Sequence, residues 1–190
     1  SPVSQALKSL NAETLAGTAG NDTFTGGATF YDAADQVVDG STTDADTYSI
    51  TVTASNASAD SGDAGSDVEL LPIVTNIETV NIEIQSVAAM EVSAANMVGV
   101  SNLTVTRGDL IVGDATIAGG KTVDVFAVDA ADVAKVTIGA GTTNAEVAQA
   151  TTAGITVDAD NASGNVTVTG AATVSATGQG TGDTLTMAVL

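Results

Sequence analysis

Between residues 77 and 190, branched apolar side chains fall on a fixed spacing. Val128, Val147, Val166 and Leu185 are 19 residues apart, and Val136, Ile155 and Val174 repeat at the same interval between them. The interval divides into alternating steps of eight and eleven residues. At most of these positions a second small apolar residue follows two places on, as in Val136/Ile138, Ile155/Val157, Val166/Val168 and Leu185/Met187. Residues two apart share one face of a strand. Each coil therefore offers two strands, one short turn and one longer turn. With slips of about one residue the pattern extends back through Ile117, Leu110, Val98, Met90 and Val80. A period near 20 residues marks stacked units, each too small to bury its own apolar face.

This pattern predicts an all-β chain: a right-handed parallel β-solenoid or β-roll with about 19-residue coils, its strands stacked at ~4.8 Å. The alternative is an antiparallel β-sandwich, which short, evenly spaced Val/Thr strands also suggest. Unbroken alternation of eight and eleven favours the solenoid, because hairpins do not require it. Apolar residues make up 44% of the chain, but aromatics only 3%, with no Trp. A narrow interior lined by small branched side chains is expected.

Charge narrows the possible functions. Twenty-three Asp and Glu stand against four basic residues, Lys8, Arg107, Lys121 and Lys135, for a net charge of −19. Nucleic acid and anionic membrane are poor partners for this surface, because phosphate contacts draw their affinity from Lys and Arg. Multivalent cations are good ones. With no Cys there is neither disulfide framework nor thiolate chemistry, and with no His there is no imidazole base or ligand. No apolar run approaches the ~20 residues that span a bilayer, so no membrane insertion is expected. Ser1-Pro2-Val3-Ser4 has no signal-peptide character, and any export address is expected to lie outside this chain.

The texture of the chain changes twice. Residues 1–15 read as an N-terminal arm, either a short helix, on the loose spacing of Ala6, Leu7, Leu10 and Leu15, or an extended segment. Residues 16–76 are dense in Gly, Asp, Ser and Thr, with strand candidates at Thr23 to Thr25, Gln36 to Val38 and Tyr48 to Val52. Residues 77–190 are the predicted solenoid, read as continuous with the acidic section or as a separate unit.

The chemistry lies with the carboxylates. Gly17-Thr18-Ala19-Gly20-Asn21-Asp22-Thr23-Phe24-Thr25 matches the calcium-binding nonapeptide G-G-x-G-x-D-x-U-x, except that Thr18 replaces the second glycine. Tight turns at Gly17, Ala19 and Asn21 would expose carbonyls, Asp22 would supply a carboxylate, and Phe24 would anchor the strand inward. Such a mixture of oxygens suits Ca2+. A degenerate copy follows with Asp35, Asp39, Asp44 and Asp46, and a third cluster holds Asp60, Asp63 and Asp67. Any one of these residues alone reads as part of a solvated loop. Together they repel at about 1 to 4 kcal/mol per close pair, which a bound cation would remove. Asp158, Asp160, Asn161 and Asp183 read as structural corner residues that bond their own backbone.

The stretch Thr14 to Phe24, the Asp35 to Ile50 element and Val74-Thr75-Asn76-Ile77-Glu78-Thr79-Val80-Asn81-Ile82 together resemble the calcium-dependent, RTX-type surface-layer (S-layer) proteins of Gram-negative bacteria such as Caulobacter. In that family these motifs occur in the same order ahead of an Ala/Thr/Val-rich β-solenoid. Gly40 to Asp46 is a lengthened version of the family's second element. The resemblance implies type I export, calcium-driven folding and an extracellular, cell-surface lattice. The motif order also occurs in repetitive adhesins, so a filament or an adhesin stalk stands beside the lattice.

A β-helix polysaccharide lyase would need a base cluster such as Arg107 with Asp109 and Asp114, but cations and aromatic sugar platforms are scarce. Glu78 and Glu83, five apart on one predicted strand, face opposite sides and do not form a glycosidase pair. The expectation is a non-enzymatic structural protein. Its partners would be calcium ions, copies of itself in a homo-oligomeric lattice or filament, and, as a further candidate, cell-surface polysaccharide.

Overall fold

The computed structural model describes residues 1–9, 11–27, 32, 34–52, 58–59, 68–70, 72–84, 90–107, 122–128, 135–138, 144–149, 156–160, 165–169, 173–176 and 184–188. Among them there is no helix. The strands of the acidic section and its flanks are β1 (Ser4–Ala6), β2 (Thr14–Ala16), β3 (Thr23–Gly26), β4 (Gln36–Val38), β5 (Thr47–Val52), β6 (Ser58–Ala59), β7 (Val68–Leu70) and β8 (Ile73–Thr75). Beyond them come β9 (Thr79–Ile84), β10 (Met90–Ser93), β11 (Met97–Val98), β12 (Asn102–Arg107) and β13 (Thr122–Val128). The last are β14 (Lys135–Ile138), β15 (Asn144–Gln149), β16 (Thr156–Asp158), β17 (Val166–Thr169), β18 (Thr173–Ser175) and β19 (Leu185–Ala188).

These strands form three open sheets. The largest runs β1-β3-β5-β9-β12-β14-β16-β18, the second β19-β17-β15-β13-β10-β7-β6, and the third β11-β8-β4-β2. The chain alternates between the first and third sheets up to β5. It then visits the second, third and first in turn through β7 to β9 and again through β10 to β12, and from β13 it alternates between the second and first. Every described pairing is parallel except the short β6/β7 pair, so the strands do not make an antiparallel sandwich. The arm folds as strand, not helix: β1 pairs with β3 and β2 with β4, while Leu7 and Leu15 are buried. The three strand candidates of the acidic section form as β3, β4 and β5.

Parallel register stacks equivalent side chains into columns. Phe24, Tyr48, Val80, Leu103, Val136, Val157 and Val174 succeed one another across the first sheet, and all but Val174 are buried. Leu15, Val37, Val74 and Met97 make the matching column of the third sheet. The interior accepts aromatics at this end, with Phe24 and Tyr48 the largest fully buried side chains among the described residues. Gly26 leaves room for Leu7, whose Cδ1 would lie 2.9 Å from an added Cβ.

The uniform 19-residue coil is corrected by the register. Val166 pairs with Leu185, 19 residues on, but Val125 pairs with Val147 at 22, Val147 with Val168 and Val136 with Val157 at 21, and Val157 with Val174 at 17. Inward positions recur every second residue, so spacings of 19 and 21 both connect inward residues, and only backbone pairing selects between them. Val128 pairs with Gln149 after an irregularity, Val98 is exposed, and Leu185, aligned with the buried Val166, is left exposed on β19 at the end of the second sheet. Ile155, Leu110 and Ile117 lie outside the described residues.

Candidate metal centre

Where the chain passes from the third sheet to the first, two columns of residues flank the turn. Gly17, Asp39, Asn76 and Gly99 each follow one of the aligned residues Ala16, Val38, Thr75 and Val98. Their amides carry the ladder one step further, with Gly17 N–H donating to Val38 O at 2.9 Å, Asp39 N–H to Thr75 O at 3.0 Å and Asn76 N–H to Val98 O at 2.9 Å. Opposite them, Asp22, Asp46 and Glu78 each precede one of the aligned residues Thr23, Thr47 and Thr79 that open β3, β5 and β9.

In this second column each carboxylate accepts the backbone N–H of the preceding stratum. Asp22 Oδ1 accepts from Val3 at 2.6 Å, Asp46 Oδ1 from Asp22 at 2.7 Å, and Glu78 Oε2 from Asp46 at 2.8 Å. Asp22 also accepts from the Thr18 amide and, at 3.0 Å, from the Thr18 hydroxyl. Asp39 Oδ2 accepts from Ser41 N–H at 2.5 Å, and Asn76 Nδ2 donates to Asp39 O at 3.1 Å. Charge-assisted bonds of this kind fix carboxylates firmly.

The result is a concentration of buried acid. One carboxylate oxygen each from Asp22, Asp39 and Asp46 lie within 4.8 Å of one another, and a second group joins Asp44, Asp46 and Glu78 on the same criterion. Asp22, Asp39 and Asp46 are at most 2% exposed. Asp39 Oδ1, Asp46 Oδ2 and both oxygens of Asp44 are shielded from solvent with no hydrogen-bond donor among the described residues. Gly17 lies against the first group: a Cβ there would collide with Asp39 Oδ1 and come within 2.8 Å of Asp22 Oδ2.

The carboxyls respond differently to this environment. Burial, reinforced by the charges of Asp44, Asp39 and Asp22, pushes Asp46 above the ordinary 3.8. For Asp22 burial acts in the same direction, but the bonds from Val3 and Thr18 outweigh it and hold the group below 3.8. Between Lys8 and Arg107 the sequence contains no basic residue, and it has no His anywhere, so no side chain in this section can neutralise the group. An all-oxygen, multiply anionic site matches the chemistry of calcium or another hard divalent cation.

Of the residues singled out from sequence, the corner brings together Gly17, Asp22, Asp39, Asp44 and Asp46. Asn21 is adjacent, its Oδ1 accepting from Ala45 N–H at 3.1 Å. Ala19 belongs to the same turn. Asp35 is in neither group: its two oxygens accept from Glu13 N–H and Asp32 N–H, both at 2.7 Å, and burial together with the Asp32 and Glu13 charges raises its pKa. Asp60, Asp63 and Asp67 lie outside the described residues, as do Asp109, Asp114, Asn161 and Asp183. Asp158 accepts from Asp160 N–H at 3.4 Å, a bond within the turn, while Asp160 accepts from the side chain of Ser175, 15 residues on, at 2.8 Å. Glu78, which the sequence analysis does not place among the metal ligands, completes the second group. The signal for it is the recurring acid-Thr-apolar triplet in Asp22-Thr23-Phe24, Asp46-Thr47-Tyr48 and Glu78-Thr79-Val80.

No family model, curated protein or solved structure matches the chain.

Proposed function

We propose that the chain is a non-enzymatic, extracellular structural protein: a right-handed parallel β-solenoid whose acidic corner binds calcium and which associates with copies of itself in a surface layer or filament. The observation that carries this reading is the buried Asp22/Asp39/Asp46 group, with donorless oxygens and no basic residue between Lys8 and Arg107. Three ionised carboxylates this close repel by about 1 to 4 kcal/mol per pair, and a divalent cation turns that cost into cohesion between strata. Millimolar extracellular calcium can fill even a modest site of this type. Sheet edges at β1 and β18 offer parallel strands for association between copies.

The test is a calcium titration of the chelated protein, followed by circular dichroism and light scattering. β-content and particle size should both rise with calcium. Unchanged signals would refute the calcium role, and a structural gain without growth in particle size would refute self-assembly.

A further inference from the structure

We infer that the acidic corner takes two divalent cations sharing Asp46, one held by Asp22, Asp39 and Asp46 and the other by Asp44, Asp46 and Glu78. This rests on the calcium reading above and adds the number of ions and the division of ligands. Oxygen ligands on opposite sides of one calcium ion, at 2.3–2.6 Å each, are about 5 Å apart. Each of the two groups falls within that span at 4.8 Å, while the five carboxylates do not form a single group and meet only through Asp46. A single ion therefore leaves either Asp22 and Asp39 or Asp44 and Glu78 unserved.

The oxygens without donors point the same way. Asp39 Oδ1 belongs to the first set, both Asp44 oxygens to the second, and Asp46 Oδ2 to the residue common to both. Asp46 itself is fully buried, so its free oxygen cannot be satisfied by bulk water. Charge agrees: five carboxylates around one divalent ion leave three negative charges uncompensated, whereas two ions leave one.

The arrangement has a mechanical consequence. Asp22, Asp46 and Glu78 precede β3, β5 and β9, neighbours in the first sheet, so two ions joined through Asp46 fasten three successive strata. The second fastening spans the excursion from Thr47 to Thr79, the pair of aligned strand starts most distant in sequence at this corner.

The experiment counts calcium bound per chain by isothermal titration after chelation, comparing single substitutions with the parent. Asp39→Asn and Asp44→Asn should each remove one ion, the two together two ions, and Asp46→Asn two by itself. Glu78→Gln should weaken the ion lost in Asp44→Asn by about 10-fold or more, and Asp35→Asn should leave the count unchanged. Circular dichroism in saturating calcium identifies variants that fold. If Asp39→Asn and Asp44→Asn remove the same single ion, or Asp44→Asn removes none, the two-ion arrangement falls while the calcium reading stands. If no substitution at the corner changes the count, both fall.

Discussion

Gly17 lies directly against the Asp39 carboxylate, so that a Cβ at residue 17 would collide with Oδ1. The collision would be with a side chain already bonded to Ser41 N–H and buried to 2% exposure. Gly17→Ala should therefore displace Asp39, weaken calcium binding by about 10-fold or more, and destabilise the fold by about 1 to 3 kcal/mol. Calorimetric titration and urea unfolding measure the two effects. Parental calcium affinity in Gly17→Ala would show that Asp39 is not a ligand.

Calcium removal should lower the melting temperature. A ligand at 100 times its dissociation constant stabilises the native state by about 2.7 kcal/mol, and each kcal/mol corresponds to about 2–4 °C for a chain of this size. Thermal scans with calcium and with chelator should thus differ by roughly 5–10 °C per saturated site. Magnesium should substitute poorly, since it demands a tighter octahedral shell.

Stability and calcium response should have opposite pH dependences. Asp46 and Asp35 are held above 3.8 by burial and by neighbouring carboxylates. A group raised on folding contributes stability that is complete below its unfolded value and is lost as pH rises through its folded one. In chelator, these two groups should therefore make the protein more stable as pH falls from neutral towards about 4. Asp22, held below 3.8, acts in the other sense: its contribution is present above that value and disappears as pH falls through its lowered one. With calcium, protons compete for the same oxygens, so the calcium-induced gain should shrink over the range where metal-free stability rises. Urea midpoints with and without calcium test the crossing.

Gly99 provides a test of the corner independent of metal. Its φ is +76°, and an added Cβ would sit 3.1 Å from Asn76 Oδ1 and 3.2 Å from Asn76 Cα. Gly99→Ala should cost about 1 kcal/mol or more in urea unfolding. Asn76 itself has a φ of 54°, which Asn tolerates better than most residues, and its side chain holds Asp39 O. Asn76→Ala should destabilise and also weaken calcium binding, whereas Gly99→Ala should act mainly on stability.

The interior column should show ordinary core energetics. Leu103, fully buried between Val80 and Val136, should cost about 2–5 kcal/mol on truncation to Ala. Leu185 is 46% exposed, so Leu185→Ala should fall well short of that range in chemical denaturation. Equal costs would show that Leu185 is covered on the outer side of β19.

Alternating Val, Ile and Thr specified short strands with one face inward, and the even return of that pattern specified parallel neighbours. Both follow from the two-residue period of a strand, which is local. The position of each coil on the next is not local. Offsets of 19 and 21 residues satisfy the same alternation, and backbone pairing chose Val157, not Ile155, as the partner of Val136. The acidic corner divides in the same way. The concentration of Asp and the want of Lys, Arg and His were evident along the chain. Which carboxylates meet was settled only when β3, β5 and β9 aligned Asp22, Asp46 and Glu78, placed Asp39 opposite them, and turned Asp35 to its own backbone partners. Side chains separated by tens of residues come within one ion's reach through register, and register belongs to the assembled sheet.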